Sequence, residues 1–239
     1  MRTLVLLPGL DGSDIMFRPL VESAPAEVEM VTTAYPPGPA NTYDDLLPRV
    51  REILPQDRPF YLLGWSFSGP LALRIAAARP PLLRGVILAS SFARNPIPYL
   101  PRWTCGLVHP FLFRIFPSVA QLKALLGGFS TPELRALLSE AHSHVCAEAL
   151  ACRTRAALTV DATGALKNCS VPVLYLRASK DEVIPWNCAD EICRCLPSAE
   201  IADISGPHLA LVTNPRVSWE RLLAFMARTE SLDCHAIHM

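Results

Sequence analysis

Short apolar segments alternate with segments of helical periodicity along most of this chain, and this alternation constrains the fold more than any other feature. Strands that are separated by helices run parallel, because each helix carries the chain back across the sheet. We therefore predict an α/β fold with a mostly parallel sheet of about six strands, formed by residues 3–8, 28–33, 59–64, 85–90, 171–178 and 200–204.

One connection is much longer than a simple crossover between parallel strands needs. It joins the fourth and fifth predicted strands and has helical patterns at residues 102–116, 118–126 and 131–160. We predict a core of residues 1–92 and 170–239, with residues 93–169 inserted as a helical lid over the ligand-binding end of the sheet. The helices predicted in the core are residues 14–23, 43–54, 67–79, 186–195 and 216–229.

Composition excludes several classes of protein. The 239 residues are 51% hydrophobic, and 22 basic residues balance 22 acidic ones, so no nucleic-acid partner is expected. No segment approaches the roughly 20 apolar residues of a membrane span, and the apolar start at residues 4–7 is too short for a signal peptide. We expect a cytoplasmic protein whose eight cysteines are reduced. The cysteines closest to forming a metal cluster are Cys188, Cys193 and Cys195, but their spacing is not that of a structural zinc site.

The segment 64–69, Gly-Trp-Ser-Phe-Ser-Gly, lies between a predicted strand and a predicted helix. A serine at such a turn adopts a positive φ and projects its hydroxyl clear of the sheet, with small residues two positions away on either side. Gly64 and Ser68 meet that requirement, which makes Ser66 a candidate nucleophile. The short pattern also occurs by chance, so an ordinary loop serine is the alternative.

A serine nucleophile needs a base, and the base needs an anion to orient it. Asp181 follows the fifth predicted strand and His208 the sixth, in the order Ser, Asp, His that this architecture requires. Glu182 beside the acid and Asp203 inside a strand are weaker candidates. The other histidines are expected to be surface or packing residues: His109, His142, His144, His235 and His238.

An oxyanion formed during acyl transfer needs two backbone N–H donors. We predict the N–H of Phe67, which follows the nucleophile, and that of Leu10, in the glycine-containing loop after the first strand. Asp11 in the same loop either orients substrate or satisfies loop N–H groups.

The motifs around Ser66, Asp181 and His208 resemble those of the α/β-hydrolase superfamily, over nearly the whole chain. The small size, helical cap and Gly-Trp-Ser elbow are similar to bacterial carboxylesterases of the pimeloyl-[acyl-carrier protein] methyl ester esterase type. The resemblance implies an α/β-hydrolase fold and cleavage of an acyl ester without a metal or cofactor. This chain departs from the family in starting at what would be its third strand, so we expect the sheet to lack the N-terminal hairpin. Pro8 stands where the family has histidine, and Ser68 where its elbow has a second glycine.

The predicted lid suggests what the substrate is like. It has eight basic and four acidic residues, so an anionic carrier such as acyl carrier protein or coenzyme A could dock there, although a solvated helix face explains the same pattern. Dense apolar residues either pack on the core or line an acyl pocket with Trp65; the candidates for lining are Trp103, Leu107 and Phe111.

These observations together predict a serine esterase acting on a small-molecule acyl ester. An acyl thioesterase or acyltransferase could use the same three residues. A ligand-binding module that does not turn over substrate, or non-ester chemistry such as haloperoxidase or carbon–carbon bond cleavage, would also be compatible with this fold.

Overall fold

The computed structural model describes residues 1–114 and 119–237. Six parallel strands in this part of the chain form one sheet in the order β2-β1-β3-β4-β5-β6. The α/β-hydrolase fold class is confirmed, and each predicted strand corresponds to an observed one with ends shifted by two residues at most. The strands are β1 (Arg2–Leu7), β2 (Val28–Thr32), β3 (Phe60–Trp65), β4 (Leu83–Ala89), β5 (Val173–Ala178) and β6 (Glu200–Ile204).

Helices cover both faces of the sheet. The described α-helices are α1 (Arg18–Glu22), α2 (Tyr43–Ile53), α3 (Gly69–Ala77), α4 (Val119–Leu126), α5 (Pro132–Ser143), α6 (Ala147–Thr159), α7 (Thr163–Lys167), α8 (Asn187–Cys195), α9 (Ala210–Thr213) and α10 (Pro215–Ile237). Short 3-10 helices span Ile15–Phe17, Ser66–Ser68, Arg102–Leu107, Pro110–Phe113 and Gly127–Phe129. Among the residues described, no helix is both long and apolar enough to cross a bilayer.

The central strands are apolar on both faces, as expected for a parallel sheet between two helical layers. Every residue of β3 is buried. Successive residues of β1 alternate between two core clusters, with Leu4 and Leu6 in one and Val5 and Leu7 in the other. The alternation places one cluster on each face of the sheet.

The segment between β4 and β5 differs from the predicted pattern in two places. Residues 102–114 form two short 3-10 helices instead of one α-helix, because Pro110 begins a new helix after the extended residue His109. The predicted residues 115–116 and 118 lie outside the described part of the chain. The predicted helix 131–160 is divided into α5 and α6, and the Cys146 sulfur caps α6 by accepting a hydrogen bond from the Ala149 N–H. The division into core and lid stays a prediction.

Candidate active site

The turn after β3 holds Ser66 in a conformation that few non-glycine residues adopt. Its φ is +49°, which confirms the positive φ expected at this position. A Cβ added at Gly64 would lie 2.7 Å from the Ser68 carbonyl oxygen and 2.9 Å from Ala72 Cβ. A Cβ at Gly69 would overlap the Ser91 hydroxyl. Both positions therefore require glycine, because any side chain there would push apart the segments that pack against the turn.

Three side chains predicted from separate parts of the sequence form one hydrogen-bonded line. His208 Nε2 lies 3.0 Å from Ser66 Oγ, and His208 Nδ1 lies 2.9 Å from Asp181 Oδ2. The side chains of His208 and Asp181 are each only 5% exposed. With Nδ1–H donating to the carboxylate, Nε2 is left to accept the proton of the serine hydroxyl. The loops after β5 and β6 supply the acid and the histidine.

The Asp181 carboxylate is held by its own loop as well as by the histidine. Its Oδ1 accepts hydrogen bonds of 2.8 Å from the N–H groups of Val183 and Ile184. Burial acts to raise the pKa of Asp181, but the electrostatic attraction of His208, its hydrogen bond and these two N–H groups outweigh burial and lower that pKa. The carboxylate is thus an anion that can orient an imidazole.

Of the competing acids and histidines with described side chains, all but His142 lie away from Ser66. Asp203 Oδ1 accepts from Arg177 Nε at 2.7 Å on the surface, and Glu182 is exposed. His109 and His144 make local contacts in exposed turns, and the side chains of residues 235 and 238 lie outside the described part of the structure. His142 differs from the prediction, because it lines the cavity beside Ser66. Burial lowers its pKa, and the Asp11 carboxylate opposes that shift.

The loop after β1 passes close to the nucleophile. A Cβ at Gly9 would lie 4.0 Å from Ser66 Cβ, and Leu10 and Phe67 border the same cavity as Ser66. Within residues 1–114 and 119–237, the Leu10 N–H is paired with no acceptor. The arrangement leaves this N–H available to a bound oxygen.

Pro8 and Ser68, two of the departures from the family pattern, contact each other. The buried Ser68 hydroxyl donates to the Pro8 carbonyl oxygen, and the Tyr35 hydroxyl lies 2.6 Å from Ser68 Oγ. The serine thus ties the loop after β1 to the elbow, a contact that glycine could not make. Sequence reasoning had no signal for this pairing, because the two residues are far apart in the chain.

Asp11 both satisfies its loop and borders the cavity. Its Oδ2 accepts from the Ser13 N–H at 3.0 Å and from the Ser13 hydroxyl at 2.5 Å. Burial raises the pKa of Asp11, against the effect of these bonds and of the Arg153 charge. Of the two predicted roles, the loop-satisfying one is observed directly, and Asp11 also lines the cavity at Ser66.

A cavity of about 360 Å³ opens at Ser66 and His208. Its size and apolar lining are typical of a small-molecule site. Trp65 lines it as predicted, together with residues from α4, α5 and α6, among them Leu125, Leu138, Ala141, Leu150 and Ala157.

The other predicted pocket residues are wrong. Trp103, Leu107 and Phe111 do not line the cavity and are 70%, 64% and 58% exposed. The prediction assumed one α-helix across these positions, whereas two short 3-10 helices turn the three side chains towards solvent. Phe113, next in the second of these helices, lines the cavity instead.

The basic surface predicted on the inserted segment is weaker than its charge count indicates. Arg153 is completely buried, and Arg94 forms an ion pair with Glu191 of α8. Two of the eight basic residues are therefore not available to an anionic partner. Among the residues that the structure describes, no cluster of three or more His, Cys, Asp or Glu side chains could hold a metal ion. The seven cysteines with described side chains are free thiols.

Sequence comparison places these features in a wider context. A sequence model described as "Alpha/beta hydrolase family" matches residues 4–219. Polyketide synthase ThaQ of Burkholderia thailandensis is 26% identical over 95% of this chain and 12% of that protein. Pyrrolizixenacetamide deacetylase of Xenorhabdus hominickii is 24% identical over 66% of this chain and 61% of the deacetylase. The chain thus spans less than two thirds of either relative.

A third relative is matched over nearly its full length. The putative carbamate hydrolase RutD of Serratia proteamaculans is 24% identical over 96% of this chain and 92% of that protein. Among solved structures, a hydrolase from Oleispira antarctica matches with a TM-score of 0.79 and 15% identity over 95% and 91% of the two chains. The esterase EaEST from Exiguobacterium antarcticum gives 0.77 and 16% over 94% and 91%. At these identities the structural matches establish a shared fold.

Proposed function

Because this chain belongs to the alpha/beta hydrolase family, we propose that it is a serine hydrolase that cleaves a carboxylic ester through an acyl-enzyme intermediate at Ser66. The hydrogen-bonded line from Ser66 through His208 to Asp181, at the mouth of an apolar cavity, carries the proposal. The deacetylase, carbamate hydrolase and esterase among its relatives and structural neighbours support hydrolysis of an acyl bond.

In the first step, Ser66 Oγ attacks the ester carbonyl carbon while His208 Nε2 takes the hydroxyl proton. The carbonyl π electrons move to oxygen, and the N–H groups of Leu10 and Phe67 stabilise this anion. Asp181 holds the imidazolium in place. Collapse of the tetrahedral intermediate breaks the bond to the alcohol, which leaves with the proton from His208, and an acyl-Ser66 ester remains.

In the second step, water replaces the alcohol. His208 takes a proton from the attacking water, and the same two N–H groups hold the second oxyanion. Collapse breaks the bond to Ser66 Oγ, returns the proton to serine and releases the carboxylic acid. The step uses the same residues in the same roles, so one arrangement serves both halves of the reaction.

The cavity supports an apolar acyl group as the substrate. Its walls come mainly from leucine and alanine side chains of the inserted segment and from the aromatic rings of Trp65, Phe67 and Phe92. The inserted segment returns to the sheet close to where it leaves. Arg94 and Asp161 form an isolated antiparallel bridge, and the Ala162 N–H donates to the Ala93 carbonyl oxygen at 2.8 Å. We infer that residues 93–169 act as a lid that shapes the acyl pocket.

The test is labelling and turnover at the serine. A fluorophosphonate probe is expected to label the wild-type chain at Ser66, and Ser66→Ala is expected to abolish both labelling and hydrolysis of p-nitrophenyl esters. Ser143→Ala is the matched control, because this exposed hydroxyl contacts only its own turn, the Glu140 carbonyl oxygen at 2.7 Å and His144 Nδ1 at 3.3 Å. Wild-type protein that is folded, yet neither labels nor hydrolyses any ester or thioester of a chain-length series, would contradict the proposal.

A further inference from the structure

Arg153 of α6 is a buried charge with an unusual set of partners. Its side chain is 0% exposed. Nη1 donates to the carbonyl oxygens of Leu10 and Asp11 at 2.9 and 2.7 Å, and Nη2 to the Pro36 carbonyl oxygen at 2.9 Å. Nε and Nη2 both donate to Asn41 Oδ1, at 3.1 and 2.9 Å. All five N–H donors of a guanidinium are thus used, and none of these acceptors carries a charge.

Such a group is costly to bury, because a charge loses its hydration and here gains no directly bonded carboxylate. Burial lowers the pKa of Arg153, and the nearby Asp11 carboxylate opposes that shift. A side chain that only filled space would be better apolar. The partners of its hydrogen bonds therefore indicate the role of the arginine. Two of the five bonds reach consecutive carbonyl groups of the loop after β1, those of Leu10 and Asp11.

That loop carries the Leu10 N–H. In a trans peptide the N–H of Leu10 points opposite to the carbonyl of Gly9, so holding one fixes the other. The Gly9 carbonyl oxygen accepts from the Gly12 N–H at 3.1 Å. Gly12 has a φ of +70°, and a Cβ there would overlap the Arg153 guanidinium. The loop is folded closely around this cation.

The other side of the loop is tied to the elbow through a neighbouring side chain. The Arg153 guanidinium carbon lies 5.5 Å from the centre of the Tyr35 ring, over its face. The Tyr35 hydroxyl contacts Ser68, whose hydroxyl donates to the Pro8 carbonyl oxygen. The Pro8 carbonyl, before the Gly9–Leu10 peptide, is thus held by Ser68, and the Leu10 carbonyl, after it, is held by Arg153.

We propose that Arg153 is a positioning residue that holds the 8–12 loop so that the Leu10 N–H faces the oxyanion at Ser66. The inference rests on the proposed function and deepens it. Because Arg153 belongs to the inserted segment, packing of α6 on the core and formation of the oxyanion site depend on the same side chain.

The test separates catalysis from substrate binding. Removing one oxyanion donor costs on the order of 100- to 1000-fold in kcat, and a displaced donor costs less. Arg153→Ala is expected to lower kcat for a p-nitrophenyl ester by roughly 10- to 100-fold with KM changed by less than about 3-fold. Affinity for a trifluoromethyl ketone, which forms a tetrahedral adduct, is expected to fall by the same factor as kcat.

Guanidinium in solution supplies a further readout. Millimolar guanidinium is expected to restore part of the lost kcat in Arg153→Ala, because the vacated site binds a planar cation with the same donors. Arg155→Ala is the matched control on the same helix: this half-buried side chain donates to the Val108 carbonyl oxygen, away from the loop, so kcat and inhibitor affinity are expected to stay within about 2-fold of wild type.

Arg153→Lys provides the milder variant if the alanine variant does not fold. It keeps the charge but has three donors in place of five, so kcat and inhibitor affinity are expected to fall together by a smaller factor. A folded variant with unchanged kcat and inhibitor affinity, or with the whole loss in KM, would overturn the positioning role. Labelling of wild-type Ser66 by a fluorophosphonate tests the proposed function separately; without it, both proposals fail.

Discussion

The elbow glycine at position 64 allows a quantitative prediction. In Gly64→Ala the new Cβ would lie 2.7 Å from the Ser68 carbonyl oxygen, about 0.7 Å inside the 3.4 Å at which ordinary contact begins. The obstacle is backbone, so the turn itself must move. Overpacking of this kind costs about 1–3 kcal/mol, which corresponds to a fall in Tm of about 2–12 °C for a chain of this length.

Catalysis is expected to suffer more than stability. A shift of the Ser68 backbone carries the neighbouring elbow with it, and a displacement approaching 1 Å at a nucleophile costs on the order of 10- to 100-fold in kcat. The measurements are kcat for a p-nitrophenyl ester and Tm by circular dichroism.

Gly164→Ala makes the same chemical change where nothing lies within 4 Å of the new Cβ. Gly164 is in α7, where alanine is favoured over glycine by about 0.4–1 kcal/mol, so Tm is expected to rise by about 1–4 °C with kcat unchanged. If Gly64→Ala matched this control in Tm and kcat, the steric argument for the elbow would be refuted.

Three further predictions use other contacts. Asp181→Asn is expected to lower kcat by about 10³–10⁴-fold with a small change in Tm, since the amide no longer favours the required imidazole tautomer; an unchanged kcat would remove the acid from the mechanism. Ala157→Phe projects a ring into the cavity, and kcat/KM is expected to fall about 10-fold or more for long acyl esters but little for acetate esters. Equal losses for both esters would contradict it. Thr42→Ala removes the α2 capping box and should cost about 0.5–2 kcal/mol by urea unfolding at pH 7. Hydrogen bonds from Thr42 lower the pKa of Asp45, so this stabilisation is present above pH of about 4 and is lost as pH falls through the folded-state pKa; a penalty that does not shrink at pH 2 would refute the assignment.

The strands could be predicted because burial on both faces leaves a local signal. The central strands β1, β3, β4 and β5 are short, largely apolar runs between polar turns, and each residue of the hydrogen-bonded line lies within four residues of a strand end. Ser66, Asp181 and His208 were therefore recognisable without knowledge of distant contacts. Helix ends depend on caps such as the Cys146 sulfur, which resembles no strong capping residue, so residues 131–160 were predicted as one helix.

Arg153 illustrates what the sequence could not supply. An arginine within a helix is normally solvated, so the sequence alone predicts that Arg153 forms part of a basic surface. Its burial depends on carbonyl groups of residues 10, 11 and 36, more than a hundred positions away. Trp103 gives the opposite case, an apolar side chain that a helical pattern predicts inside and that the 3-10 geometry leaves exposed.

The Arg94–Asp161 bridge has a consequence for how this architecture can change. Because the chain departs from the sheet and rejoins it at adjoining points, the pairing of β4 with β5 is independent of how many residues lie between them. Lengthening this already long connection costs little, because each doubling of loop length adds only about 0.6 kcal/mol to the free energy of loop closure. Evolution or a designer can therefore remodel the walls of the cavity while the Ser66–His208–Asp181 line beneath them is left untouched.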